Sequence, residues 1–99
     1  MKKQYSLNLP EGYLEAESAV KGWLEVHVVV GNKSYGLSFY DQTRLAQSIE
    51  SELTSEQPFF VDMNIVVIRE VTLENMHNAI TGMLDKKTFN ILFFENLET

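Results

Sequence analysis

The 99-residue chain has no cysteine. That excludes a disulfide framework, a thiol nucleophile and any cysteine-ligated metal or iron–sulfur centre. Two prolines and five glycines leave little room for long flexible linkers. No apolar run approaches the roughly 18–20 residues of a membrane-spanning helix. The start, "MKKQYSLNLPEG", has lysines but not the apolar stretch that a secretory signal places after them. A soluble, cytoplasmic chain without a membrane partner is therefore expected. Basic residues are also scarce, 8 against 14 acidic ones, for a net charge of −6. Phosphate binding relies on clustered Lys and Arg, so nucleic acid is not an expected partner.

What is present suits one globular domain over residues 1–99. Hydrophobic residues make up 44% and charged residues 22%, ordinary globular usage and far from disorder. A chain of this size buries only about 60–65% of its unfolded surface, so its stability is expected to be modest or helped by a partner chain. The acidity is uneven. Asp41, Glu50, Glu52, Glu56, Asp62, Glu70 and Glu74 face only Arg44 and Arg69 between positions 41 and 74, so the middle of the chain carries nearly all the charge.

Residues 1–22 carry the weakest pattern, with "QYSLNL" alternating as a short strand does and "YLEAESAV" suiting either a helical turn or a loop. From Trp23 the pattern sharpens. "WLEVHVVV" puts Leu24, Val26, Val28 and Val30 on one face and Trp23, Glu25, His27 and Val29 on the other. "YGLSFY" puts Tyr35, Leu37 and Phe39 on one face. Two alternating runs around Gly31-Asn32-Lys33-Ser34 predict a β-hairpin, with Gly31 and Asn32 supplying positive φ. Asp41 is placed to cap a helix whose stripe is Leu45, Ala46, Ile49 and Leu53, ended by Pro58. "FFVDMNIVVIREV" reads as a central strand, apolar on both faces at Ile65 to Ile68. Thr72 caps a second helix with an inward stripe of Leu73, Met76, His77, Ile80 and Leu84. "TFNILFFENL" reads as a last strand. The order β-hairpin–α–β–α–β predicts an α+β fold with a mixed or antiparallel sheet of about four to five strands and two helices packed on one face.

The letters around Lys33 also occur in nucleotide-binding loops, but the chemistry does not follow. The guanine-reading N-K-x-D loop needs a carboxylate where this chain has Tyr35. The phosphate loop G-x-x-x-x-G-K-[ST] needs glycines where this chain has His27 and Asn32, and then a helix rather than a strand. The segment is a turn.

No metal centre is expected, because His27 and His77 fall in no H-x-H or H-E-x-x-H spacing. Neither a cofactor nor a catalytic residue is indicated, since no serine lies in a G-x-S-x-G elbow. Two features suggest contact instead. Glu50, Glu52 and Glu56 crowd the C-terminal end of the first capped helix, where its dipole favours cations. They would suit a protein partner carrying basic groups. The apolar third strand and "ILFF" offer more hydrophobic surface than two helices cover, which predicts a homodimer through the sheet's second face or an edge strand. The expectation is thus a non-enzymatic interaction module, an inhibitor, immunity-type binder or accessory subunit. The alternative is a ligand-binding domain or enzyme with a pocket on the sheet face drawing on Glu25, His27, Tyr40 and Asp62.

Overall fold

A computed structural model describes residues 4–97. The elements run β1 (Ser6–Asn8), α1 (Glu15–Lys21), β2 (Trp23–Val30), β3 (Lys33–Tyr40), α2 (Gln42–Glu52), β4 (Ile65–Val67), α3 (Leu73–Asp85), a 3₁₀ turn (Thr88–Ile91) and β5 (Glu95–Asn96). This is the expected α+β class, with three α-helices where two were expected. β1 precedes the hairpin, and "EAESAVK" is a helix. The sheet order is β1-β2-β3-β4, with β5 pairing the start of β3. β1–β2, β2–β3 and β3–β5 are antiparallel, whereas β3–β4 is parallel, as a crossover through α2 requires.

The hairpin pairs as its alternation demands. Leu24 lies opposite Phe39, Val26 opposite Leu37 and Val28 opposite Tyr35. Val30 faces Lys33, leaving Gly31-Asn32 as the two-residue turn. Only Gly31 takes positive φ, at 65°. One glycine at the first central position is the type II′ solution, so Asn32 is not needed for the left-handed conformation.

Val26, Val28, Leu37 and Phe39 are fully buried and share one cluster with Met76, Ile80 and Leu84 of α3, together with Val71 and Phe89. Each such burial stabilises by roughly 1.5–3 kcal/mol. Thr72 caps α3 through its hydroxyl, which accepts the Asn75 N–H at 3.3 Å. From α1, the Glu15 carboxylate accepts the Leu73 N–H at 2.6 Å, and the buried Ser18 hydroxyl donates to the Val71 carbonyl at 2.9 Å.

Three expectations need correcting. Of the two anticipated helices, α3 alone supplies buried residues to the inner face. In α2 nothing is buried: Leu45 and Ile49 are half-buried, Ala46 is exposed, and Leu53 lies past the helix end, also exposed. The apolar third strand is not covered on both faces. β4 is three residues long at the sheet edge, with Val66 turned toward the core and Ile65 and Val67 exposed. The final segment is mostly not strand, because Phe89 folds into the core through the 3₁₀ turn and only Glu95–Asn96 pairs.

The junction between α1 and α2 is tightly built. Gly22 ends α1 at φ 72°, and its carbonyl accepts the Asp41 N–H at 2.9 Å. The Asp41 carboxylate caps α2 through the Arg44 N–H at 2.7 Å. A Cβ on Gly22 would collide with that carboxylate. Gly22→Ala is expected to lower stability by about 2–3 kcal/mol, combining left-handed strain with a disturbed cap. Gly31→Ala, also at positive φ but facing open space, should cost only about 1–2 kcal/mol. Urea unfolding of both variants is the check, and equal losses would show that the Asp41 contact contributes nothing.

Candidate functional site on the open sheet face

The side of the sheet opposite α3 is formed by the other half of each alternation. Trp23, Glu25 and His27 come from β2, and Ser34, Gly36, Ser38 and Tyr40 from β3. Ile65 and Val67 lie on the same side, because they pair with Ser38 and Tyr40. Glu95 pairs with Ser34 and joins them.

At the hairpin end this face holds an open depression of about 480 Å³. Its walls are Glu25, His27, Met63, Phe93, Phe94 and Glu95, and its floor is Ser34 and Gly36. The missing side chain at Gly36 is part of its shape. A methyl group there would stand 3.6 Å from Met63 Sδ and 3.8 Å from His27 Nε2, ordinary contact distances.

Asn64 holds the wall in place. It takes a left-handed φ of 45°, which asparagine tolerates better than most residues. Its side-chain amide donates to the carbonyls of Gly36 and Phe93, both at 2.9 Å, and its Oδ1 accepts the Phe93 N–H at 3.1 Å. One side chain thus joins β3, the approach to β4 and the C-terminal segment. Phe94 is braced from the other side by Tyr35, with ring centroids 5.7 Å apart, and by Lys33, whose Nζ is 4.5 Å from the Phe94 ring centre.

Of the residues singled out from sequence, Glu25 and His27 line the depression. Tyr40 and Asp62 do not, but they bond to each other farther along the same face, the Tyr40 hydroxyl donating to Asp62 Oδ2 at 2.6 Å. Glu50 and Glu52 are exposed on the last turn of α2, Glu56 lies beyond the helix, and none of the three reaches the depression. Glu52 accepts from the Gln57 amide at 2.7 Å. His77 Nδ1 pairs with the Tyr5 hydroxyl at 2.5 Å on the opposite side of the molecule. Among the described residues, no three metal-ligating side chains converge. Met63 and Glu95 were not indicated by the sequence, and Phe93 and Phe94 were indicated only as apolar surface within "ILFF"; the strand that Glu95 pairs with lies about sixty residues earlier.

Burial, and Asp62 as both acceptor and adjacent negative charge, push the Tyr40 hydroxyl up from 10.0 to about 12. The folded chain therefore keeps this proton where the unfolded chain releases it. The associated stability is full below pH 10 and is lost as pH rises through about 12. An ultraviolet titration of the tyrosines should contain one late component near 12. Tyr40→Phe should remove that component, and Asp62→Asn should move it back toward the ordinary value. A wild-type titration without it would contradict the assignment.

No family model matches this chain, and neither the curated proteins nor the solved structures provide a match, so its function has to be sought in this geometry.

Proposed function

We propose that this chain is a non-enzymatic protein-interaction module, of the inhibitor or accessory-subunit kind, that docks a basic protein partner through the open face of its sheet. The observation that carries this reading is the concentration of exposed apolar side chains on that face. Met63 is 54% exposed and Phe93 75%, with Ile65, Val67 and Phe94 between a third and a half exposed. Exposed apolar side chains gathered on one face in this way often mark a functional surface. Glu25, His27 and Glu95 give it a polar surround, as the rim of a protein interface is polar around an apolar centre.

Charge favours a basic partner over a second copy. Glu25 and Glu95 lie within the face, Glu50, Glu52 and Glu56 are exposed on and beyond α2, and the chain as a whole carries −6. Self-association through this surface would bring two such charges together. A cationic partner would be steered to it, with an on-rate that falls as salt rises.

The test uses the chain as bait in its native cell, beside two variants. Ile65→Asp with Phe93→Asp should reduce capture of a basic partner about tenfold, as loss of central apolar anchors does. Glu50→Lys with Glu52→Lys should weaken it less and flatten its salt dependence. Equal capture by all three baits would overturn the reading. So would a sedimentation mass of twice 11.4 kDa that the Ile65/Phe93 variant returns to one chain, because the face would then serve a second copy.

A further inference from the structure

We propose that the free edge of β4 pairs with an extended segment of the basic protein partner, which joins the sheet as an added strand beside Ile65–Val67. This rests on the reading of the open face as a docking surface and specifies how the partner engages it.

The backbone carries it. β4 stands at the end of the sheet, with β3 on one side only. Successive residues of a strand turn their N–H and C=O groups to opposite edges. The Ser38 N–H donates to the Asn64 carbonyl at 3.1 Å, and the Ile68 N–H donates to the Tyr40 carbonyl at 2.9 Å. Asn64, Val66 and Ile68 therefore face β3, whereas Ile65 and Val67 face away from it. No hydrogen bond elsewhere among the described residues takes up the outward groups of these two. Their N–H donors and C=O acceptors stand in a row at alternate residues, the pattern that an added strand matches.

The side chains at this edge agree with the backbone. Ile65 and Val67 lie on the open face, and each is more than a third exposed. The strand "IVV" carries no lysine or proline, two of the devices that protect a sheet edge, and only its length of three residues restrains it. The opposite edge is built differently. There β1 turns Ser6 and Asn8 to the same side, and both are exposed polar residues.

The shortness of β4 decides the occupant. Three residues offer few backbone bonds, so whatever pairs here must also cover the neighbouring apolar side chains. A second copy pairing β4 to β4 would extend both sheets in one layer, leaving Met63 and Phe93 of each copy open on the same side. It would also join two chains of net charge −6. A basic partner can place one strand on the edge and lay its remaining surface over Met63 and Phe93.

The experiment is amide hydrogen exchange of the intact chain, read by NMR, with capped Lys-Val-Lys-Val-Lys as the strand probe. In the free chain the Ile65 and Val67 amides should exchange fast and the Val66 amide slowly, because only Val66 faces β3. Saturating peptide should slow Ile65 and Val67 by about tenfold or more. The same peptide with all five residues N-methylated keeps its side chains and charge but loses their donors. It should bind at least about tenfold more weakly, as should capped Glu-Val-Glu-Val-Glu. Val67→Pro removes an outward donor and spares the ladder to β3, a position that proline accepts at a sheet edge. This variant should lose the peptide-induced protection at Ile65 while the rest of its amide spectrum stays in place. Val67→Thr keeps the N–H and should bind within about threefold of the parent chain. Equal binding of the N-methylated peptide, or undiminished protection in the Val67→Pro variant, would overturn edge pairing and leave the docking reading to its own capture test. Equal affinity for the acidic peptide would overturn the basic character of the added strand. Protection of Ile65 and Val67 that grows with protein concentration in the absence of peptide would also overturn the proposal, because a second copy would then hold the edge.

Discussion

The hairpin's inner face and the apolar stripe of α3 form one buried cluster, and every other element is attached to one of these two. Leu37 and Phe39 lie at its centre on β3, with Met76 and Ile80 on the helix, all fully buried. β1 is added along β2, and β4 and β5 share the far edge of β3. α1 is tied to the helix side by Ser18 on the Val71 carbonyl and Glu15 on the Leu73 N–H. Because dispersion and hydrophobic burial act only where surfaces meet at close packing, a cluster assembled from one helix and one sheet face is necessarily one-sided.

That one-sidedness produces the candidate site. α2 has an apolar stripe, yet its position is set at its first turn. The Asp41 N–H bonds to the Gly22 carbonyl, and the Arg44 guanidinium donates to the Lys21 carbonyl at 3.2 Å and lies 6.0 Å from the Trp23 ring centre. These contacts hold the helix at the start of β2, and it buries no side chain of its own. The second face of the sheet is covered only in part. Tyr40 and Ser38 are buried, whereas Ile65, Val67, Met63 and Phe93 remain open. Polar bonds, rather than packing, shape this side: Tyr40 to Asp62, and Asn64 to Gly36 and Phe93. An apolar surface outlined by such fixed polar contacts is preorganised, which reduces the ordering cost of binding.

Much of the fold was legible from letters alone. The two faces of β2 and β3 follow from period-two alternation, and the observed pairing of Val26 with Leu37 and Val28 with Tyr35 keeps every inner residue inside. Asp41 and Thr72 cap the helices they were expected to cap. The site was half legible. Glu25 and His27 were placed on the correct face, but their neighbours come from segments some 35 to 70 positions away. The approach to β4 turns at Asn64 through a left-handed conformation that no pattern in "VDMNIV" announces. The run Ile65 to Ile68, apolar throughout, carries no information about which of its faces will be covered.

The sequence by itself thus determined the local elements: strand faces, the Gly31 turn, two capped helices and an acidic middle. These depend on interactions between residues a few positions apart, where alternation, capping and glycine conformations act directly. Only the tertiary structure decided that α3 rather than α2 would fill the core, that β4 would be an exposed edge, and that Glu25, Met63, Phe93 and Glu95 would enclose one depression. Those outcomes depend on which surfaces compete successfully for burial across the whole chain, and that competition is settled between elements rather than within them.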